Sequence, residues 1–208
     1  WIKSYLTGRK QKVVLNGAFS RLLDILAGVP QGSILGPLLF LIYINDICLD
    51  LINVPFLFAD DTSLLSIGDS WDEVESSVNR DLTKLSEWSA RWKLNFNVKK
   101  SEYLMLRCNN KNKLLNLILN DKQLPRVTTH KHLGIVYNDK FNWADHIDFT
   151  VRKVSKKLGI LYLARNKFNR IVLMKVYYNF ILPVLEYGNI IYDGSSVADL
   201  LKLDRLHA

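Results

Sequence analysis

Two adjacent carboxylates at the end of an apolar run, Phe58-Ala59-Asp60-Asp61, constrain this chain more than any other segment. The run over residues 54–59 reads as a buried strand, and Asp-Asp followed by Thr62 and Leu64-Leu65 reads as a tight turn into a second strand. Paired acids at a hairpin tip suit a core poorly. They suit a divalent cation well, because they offer hard oxygen ligands. Magnesium held by carboxylates and substrate phosphates is how two-metal enzymes clamp the attacking and leaving oxygens of a transferred nucleotide. The plainer alternative is a solvated turn, since Asp is a common turn residue and short motifs often match by chance.

A second segment shifts that balance. Gly28-Val29-Pro30-Gln31-Gly32-Ser33-Ile34-Leu35-Gly36-Pro37 places three glycines and two prolines in ten residues, ahead of an apolar stretch and Asn45-Asp46. Such a loop is stiff and sharply turned, and its backbone can approach a ligand closely. Pro37 suits the first turn of a helix, expected over residues 37–51 and, being apolar on most sides, expected to lie buried beneath a sheet. Backbone N–H groups, Ser33 and the Gln31 amide are its means of holding a phosphate, sugar or base. A loop of this kind alone says little, but a strand ending in Asp-Asp about two dozen residues later makes the pair specific.

The rest of the chain supplies a scaffold. Asn16-Gly17 between residues 12–15 and 18–19 is a strong hairpin signal. Ser70 and Glu73 form a capping box that opens a helix with an apolar stripe of Val74, Val78, Leu82, Leu85, Trp88 and Trp92. Glu75, Arg80, Asp81, Lys84 and Glu87 read as its solvated side. A strand centred on residues 103–106, a polar break over 109–113, strands near 115–119 and 133–137, and a turn at Asn120-Asp121-Lys122 follow. From Ala144 the pattern is helical, with Ile147, Val151, Val154, Leu158 and Leu161 as the buried stripe. A further helix runs from Asn169 until Pro183 interrupts or ends it.

Charge is unevenly spread. The formal net charge is +8, yet residues 1–104 hold 11 Lys/Arg against 12 Asp/Glu, whereas residues 105–208 hold 17 against 8. The basic half follows the acidic motif, as a protein gripping a nucleic-acid backbone behind its reaction centre requires. Arg152, Lys153, Lys156 and Lys157, within two turns of a helix, are the candidate phosphate contacts. Cys48 and Cys108 form no disulfide framework and point to a reducing compartment. His130 and His132 have no cysteine or acidic partner at metal-site spacing. The apolar run of residues 34–44, broken by Gly36-Pro37, falls far short of the ~20 residues a membrane span requires, so no membrane partner is expected.

Taken together these segments resemble the reverse transcriptases of non-LTR retrotransposons, the jockey and LINE type. Residues 28–37 with their continuation to Asn45-Asp46 are similar to the family's motif B, and Phe58-Ala59-Asp60-Asp61 to motif C. Residues 94–101 are similar to motif D, and His132-Leu133-Gly134-Ile135 to the segment that includes the primer grip. The opening residues 1–11 and the late residues 178–188 also fit, so the resemblance covers nearly the whole chain.

The resemblance implies an α+β fold: a polymerase palm, an antiparallel sheet backed by helices, over residues 1–141, then a mainly helical thumb over 142–208. It implies an RNA-directed DNA polymerase that joins a deoxynucleoside triphosphate to a primer 3′-hydroxyl on an RNA template, using two magnesium ions, with manganese as a substitute. Asp60 and Asp61 would hold metal, Asp60 foremost. Lys100 would donate a proton to pyrophosphate, its plainer role being a solvated charge. Pro30, Gln31, Gly32 and Ser33 would lie against the template or nascent pair, and Leu133, Gly134 and Ile135 would position the primer.

Family members carry a further catalytic aspartate, in motif A, upstream of the segment matching Trp1, and neither Asp24 nor Asp46 has its context. The expectation is therefore a fragment that begins after motif A, lacks a central palm strand and is inactive by itself. An open sheet edge would follow. The remainder of the element polyprotein (motif A with the fingers, and an endonuclease) would complete it, within the cell, in cytoplasm and nucleus. A non-catalytic nucleic-acid-binding remnant of a degenerate element, or another class of reverse transcriptase, are the alternatives.

Overall fold

The computed structural model describes residues 1–206 apart from 109 and 111, so the polar break expected over 109–113 lies partly outside the described residues. The chain packs as two compact units, Trp1–Phe96 with Leu117–Asp121, and Asn97–Asn116 with the chain from Lys122 onward. Helices and short two-stranded ladders alternate, which makes the fold mixed α and β. Among the described residues no helix is long and apolar enough to cross a membrane.

In the first unit, α1 (Ile2–Leu6) leads to β1 (Lys10–Gln11), and β2 (Val14–Leu15) pairs antiparallel with β3 (Ala18–Phe19). The turn between them is the expected Asn16-Gly17, at φ 49° and 81°, the left-handed pair a type I′ turn requires. β4 (Leu23–Asp24) returns to pair with β1. α2 (Leu35–Ile44) is shorter than expected, because residues 45–50 wind into tighter turns. It is also not buried: Leu38, Leu41 and Ile42 are half or more exposed, and only Gly36 and Ile44 are fully covered.

β5 (Val54–Phe58) and β6 (Asp61–Leu65) form an antiparallel hairpin in the register Val54↔Leu65 through Phe58↔Asp61. The strand expected to be buried is not. Val54, Phe56 and Phe58 are each more than half exposed. The physical reason is that an isolated two-stranded ladder cannot shield either of its faces, and among the described residues β5 and β6 pair only with each other.

α3 (Trp71–Trp92) begins as the capping box requires, with the Glu73 N–H donating to Ser70 Oγ at 3.2 Å. Its stripe buries Leu82, Leu85 and Trp88. Asp81 is a correction: assigned to the solvated face by spacing, it is fully buried. β7 (Tyr103–Leu104) is the first strand of the second unit and is shorter than the strand expected there; β8 (Ile118–Leu119) belongs to the first unit, where the Ile118 N–H donates to Asn79 Oδ1 of α3 at 3.0 Å.

In the second unit, β9 (Lys122–Gln123) precedes β10 (Arg126–Val127), which lies parallel to β7. β11 (Thr129–His132) and β12 (Ile135–Asn138) form an antiparallel hairpin. α4 (Ala144–Ala164) buries Ile147 and Val154, as its periodicity predicts. α5 (Arg170–Val176) starts at Asn169, whose Oδ1 accepts the Val172 N–H at 3.0 Å. Pro183 does not end this helical run. Residues Tyr177–Ile181 widen into a π-helical turn and α6 (Leu182–Glu186) continues, with proline in its first turn where no N–H is needed. α7 (Asn189–Tyr192) and α8 (Val197–Asp204) follow. Val154, Ile181 and Leu185 form the local core, with Leu158, Leu161 and Leu203 packed on it.

Candidate active site and nucleic-acid interface

The Phe58↔Asp61 register leaves Ala59 and Asp60 as the two-residue tip of the β5–β6 hairpin. Ala59 takes φ 50°, a left-handed conformation that costs a residue with a Cβ about 1 kcal/mol. Asp60 and Asp61 are both exposed, and among the described residues neither carboxylate has a hydrogen-bond or ion-pair partner. Two unpartnered carboxylates side by side repel unless a cation intervenes. As a donor set they suit a hard divalent ion, but they fill only part of an octahedral shell. No group of three His, Cys, Asp or Glu side chains that could hold a metal occurs among the described residues. Asp60 and Asp61 thus fit as carboxylate ligands to an ion whose other positions fall to water, substrate phosphate or a further acid.

Both feet of this hairpin are tied to α3. Asp81 accepts from the Ile52 N–H (2.9 and 3.1 Å), the Asn53 N–H (2.8 Å) and Asn53 Nδ2 (2.8 Å), immediately before β5 begins. Ser77 Oγ lies 3.4 Å from Asn53 Oδ1 and 3.1 Å from Ser66 Oγ, the residue directly after β6. A buried carboxylate surrounded by donors on one side of a rigid helix sets where the strand starts, and so where the acidic tip stands. Asp81 is the residue sequence reasoning missed. An Asp on the polar side of an amphipathic helix carries no mark of burial, and only the neighbouring Asn53-Val54 could have hinted at it.

The glycine-rich loop is braced internally. Gly28 and Gly32 both adopt φ 80°. Ser33 Oγ donates to Pro30 O at 2.7 Å and accepts the Gly36 N–H at 3.0 Å, so its hydroxyl is used within the loop. A Cβ on Gly36 would stand 2.8 Å from Pro30 O, which fixes glycine there. Arg9 donates to the carbonyls of Ala27, at 3.5 Å, and Gly28, and holds the loop's entry. Gln31 and Gly32 are exposed, and the Gln31 amide has no partner among the described residues.

In the second unit, Lys100 ends a 3₁₀ turn, Val98–Lys100, and is exposed. The β11–β12 hairpin turns through Leu133 and Gly134, at φ 47° and 88°, so a leucine occupies a left-handed position. Tyr187 Oη donates to Leu133 O at 2.6 Å, and a Cβ on Gly134 would meet the Tyr187 ring at 2.9 Å. The space beside Gly134 is therefore filled by an aromatic ring of the chain itself. Ile135 is buried, and its side chain would collide, at 2.6 Å, with any Cβ added to Gly188. On α4, Arg152, Lys153 and Lys156 are exposed, while Lys157 is half-buried and donates to Phe180 O at 2.6 Å. His130 Nδ1 sits 2.6 Å from Glu102 Oε1. Burial pushes the Cys48 thiol above its ordinary pKa, as for an inert thiol.

Residues 1–151 match the family described as reverse transcriptase (RNA-dependent DNA polymerase). The chain belongs to that family. Its similarity to individual reverse transcriptases is distributed along its whole length: it is 27% identical over 100% of its residues to the RNA-directed DNA polymerase from mobile element jockey of Drosophila melanogaster. It is 28% identical over 90% of its residues to the probable RNA-directed DNA polymerase from transposon X-element of the same species. These alignments take in 24% and 21% of the relatives' own lengths, so the chain spans under a quarter of the curated relatives it matches. No solved structure matches the chain.

Proposed function

We propose that this chain carries part of the RNA-directed DNA polymerase of a non-LTR retrotransposon, joining deoxynucleoside triphosphates to a primer 3′-hydroxyl on an RNA template. The observation that carries this reading is the acidic tip of the β5–β6 hairpin. In a chain of the reverse transcriptase family, Asp60 and Asp61 stand exposed and unpartnered on a strained turn whose two feet are hydrogen-bonded to one helix. Residues 1–141 serve as palm and residues 142–208 as thumb.

Asp60, with Asp61 beside it, holds divalent cations, magnesium or manganese. Bound there, such ions lower the pKa of the primer hydroxyl and neutralise charge on the leaving oxygen. Gln31 and Gly32, exposed beside the half-buried Pro30, present backbone and a free amide to the template or nascent pair, and Ser33 keeps that loop in shape. Lys100 gives a proton to the departing pyrophosphate. Leu133, Gly134 and Ile135 position the primer strand, with Tyr187 bracing their turn. Arg152, Lys153, Lys156 and Lys157 contact phosphates. Because two carboxylates do not complete a two-metal site, polymerisation draws a further acid from the element polyprotein, which supplies the rest of the palm and an endonuclease.

In a polymerase that contains this chain, Asp60→Ala should abolish primer extension on a poly-A template and leave template–primer affinity nearly unchanged. A metal ligand acts on the transition state, whereas phosphate contacts made elsewhere supply affinity. Extension at the unsubstituted rate would remove Asp60 from the site.

A further inference from the structure

The second unit holds a partly open cavity of about 250 Å³. Its wall includes Lys131 from β11 and His146, Phe149, Thr150 and Lys153 from α4, and no Asp or Glu. The ammonium groups of Lys131 and Lys153 stand 4.6 Å and 6.0 Å from the centroid of the same Phe149 ring. Among the described residues neither lysine has a carboxylate partner. Two cations drawn to one ring without a counter-ion repel each other, and an anion between them removes that repulsion.

The neutral groups of the wall point the same way. His146 is 2% exposed, and its Nδ1 accepts the Val136 N–H at 3.3 Å. In the neutral imidazole the ring proton then sits on Nε2, and Nε2 is buried with no partner. Burial, reinforced by the Lys131 charge, lowers the His146 pKa and keeps the ring neutral. Thr150 is buried as well, and its hydroxyl has no partner among the described residues. Donors without acceptors beside two cations without anions describe a surface that lacks one thing, an oxyanion.

We propose that this cavity is an anion site that takes a phosphate group, held by Lys131 and Lys153 with Thr150 as a neutral donor of its wall and His146 buried behind it. It does not depend on the chemistry at Asp60, but it deepens the polymerase reading, because it shares Lys153 with the proposed phosphate contacts and is lined by Gly134 and Tyr187 of the primer-positioning turn. The source of the phosphate is either the phosphodiester of a bound strand or free phosphate of the pyrophosphate type.

Inorganic phosphate added to the ¹⁵N-labelled 208-residue chain, at ionic strength held constant with chloride, should shift the His146 ring and Thr150 amide signals saturably. Both lysines are exposed, so Lys131→Gln with Lys153→Gln leaves the fold in place. The double variant should bind phosphate about tenfold or more weakly, since each charged hydrogen bond removed is worth at least that factor. Lys140→Gln, outside the cavity, should titrate as the unsubstituted chain. A short DNA duplex then separates the sources. Duplex that reverses the phosphate-induced shifts assigns the site to a strand's phosphodiester, and duplex that binds while the shifts persist assigns it to free phosphate. Failure of duplex to bind at all, beside a normal phosphate titration, would count against the polymerase reading and leave the cavity assignment standing. Shifts that chloride alone reproduces, or a double variant that binds phosphate like the unsubstituted chain, would overturn the proposal.

Discussion

Asp81→Ala tests whether the acidic hairpin is positioned from beneath. The carboxylate is fully buried and accepts from three donors: the backbone N–H groups of Ile52 and Asn53, and Asn53 Nδ2. Hydrogen bonds to a charged acceptor are worth about 1.5–3 kcal/mol each, and a buried donor left unpaired costs about 1–3 kcal/mol. Asn53 is 7% exposed, so water replaces little of what its N–H loses, whereas Ile52 is 51% exposed and recovers more. The net loss is then about 3 kcal/mol, nearer the cost of one deeply buried orphan than of three. Asp81→Asn keeps the shape and one acceptor oxygen but turns an NH₂ toward a donor, which should cost about 1–2 kcal/mol. Because the chain forms two compact units, a single unfolding midpoint is a poor readout, and native-state amide hydrogen exchange resolves the hairpin directly. At 1.4 kcal/mol per factor of ten, protection at Asn53 and along β5–β6 should fall about 100-fold in Asp81→Ala and about tenfold in Asp81→Asn. The second unit should exchange as before. Unchanged protection at Asn53 in a folded Asp81→Ala chain would refute the anchoring argument, and a uniform loss across both units would show a general rather than a positioning role.

Replacing Arg152, Lys153, Lys156 and Lys157 together by Gln should shallow the dependence of log K on log salt for duplex binding by roughly one unit for each phosphate no longer neutralised, and an equal slope would make them an ordinary solvated face. Lys157, already bonded to Phe180 O, should contribute least when reverted singly. Gly134→Ala forces a Cβ onto φ 88° and to 2.9 Å from the Tyr187 ring. It should lower the stability of the second unit by about 2 kcal/mol, read as a roughly 30-fold loss of amide protection in that unit; unchanged protection there would mean that the turn relaxes freely.

The candidate site of this chain was legible in its sequence because the relevant signals are local. Asp60-Asp61 at a strand end, the glycine-rich loop with its left-handed Gly28 and Gly32, Asn16-Gly17 and the Ser70–Glu73 box each depend on contacts within a few residues, and the structure places each turn or cap where that local logic requires. The buried stripe of α4 followed from periodicity for the same reason. Burial did not. α2 and β5 are apolar enough to be read as core, yet both are largely exposed, because burial depends on which layers lie across an element rather than on its own composition. Asp81 failed in the opposite sense: helical spacing put it among solvated charges, and only the arrival of Ile52 and Asn53 from some thirty positions away made it the best-buried acid of the first unit. Tyr187 filling the space at Gly134, and Lys131 meeting Lys153 over Phe149, likewise join residues that no sequence window contains. Residue type and short spacing therefore determined which groups are the candidates for chemistry. Long-range packing alone decided which hydrogen bonds hold them in place, because desolvation and contact exist only once distant segments have met.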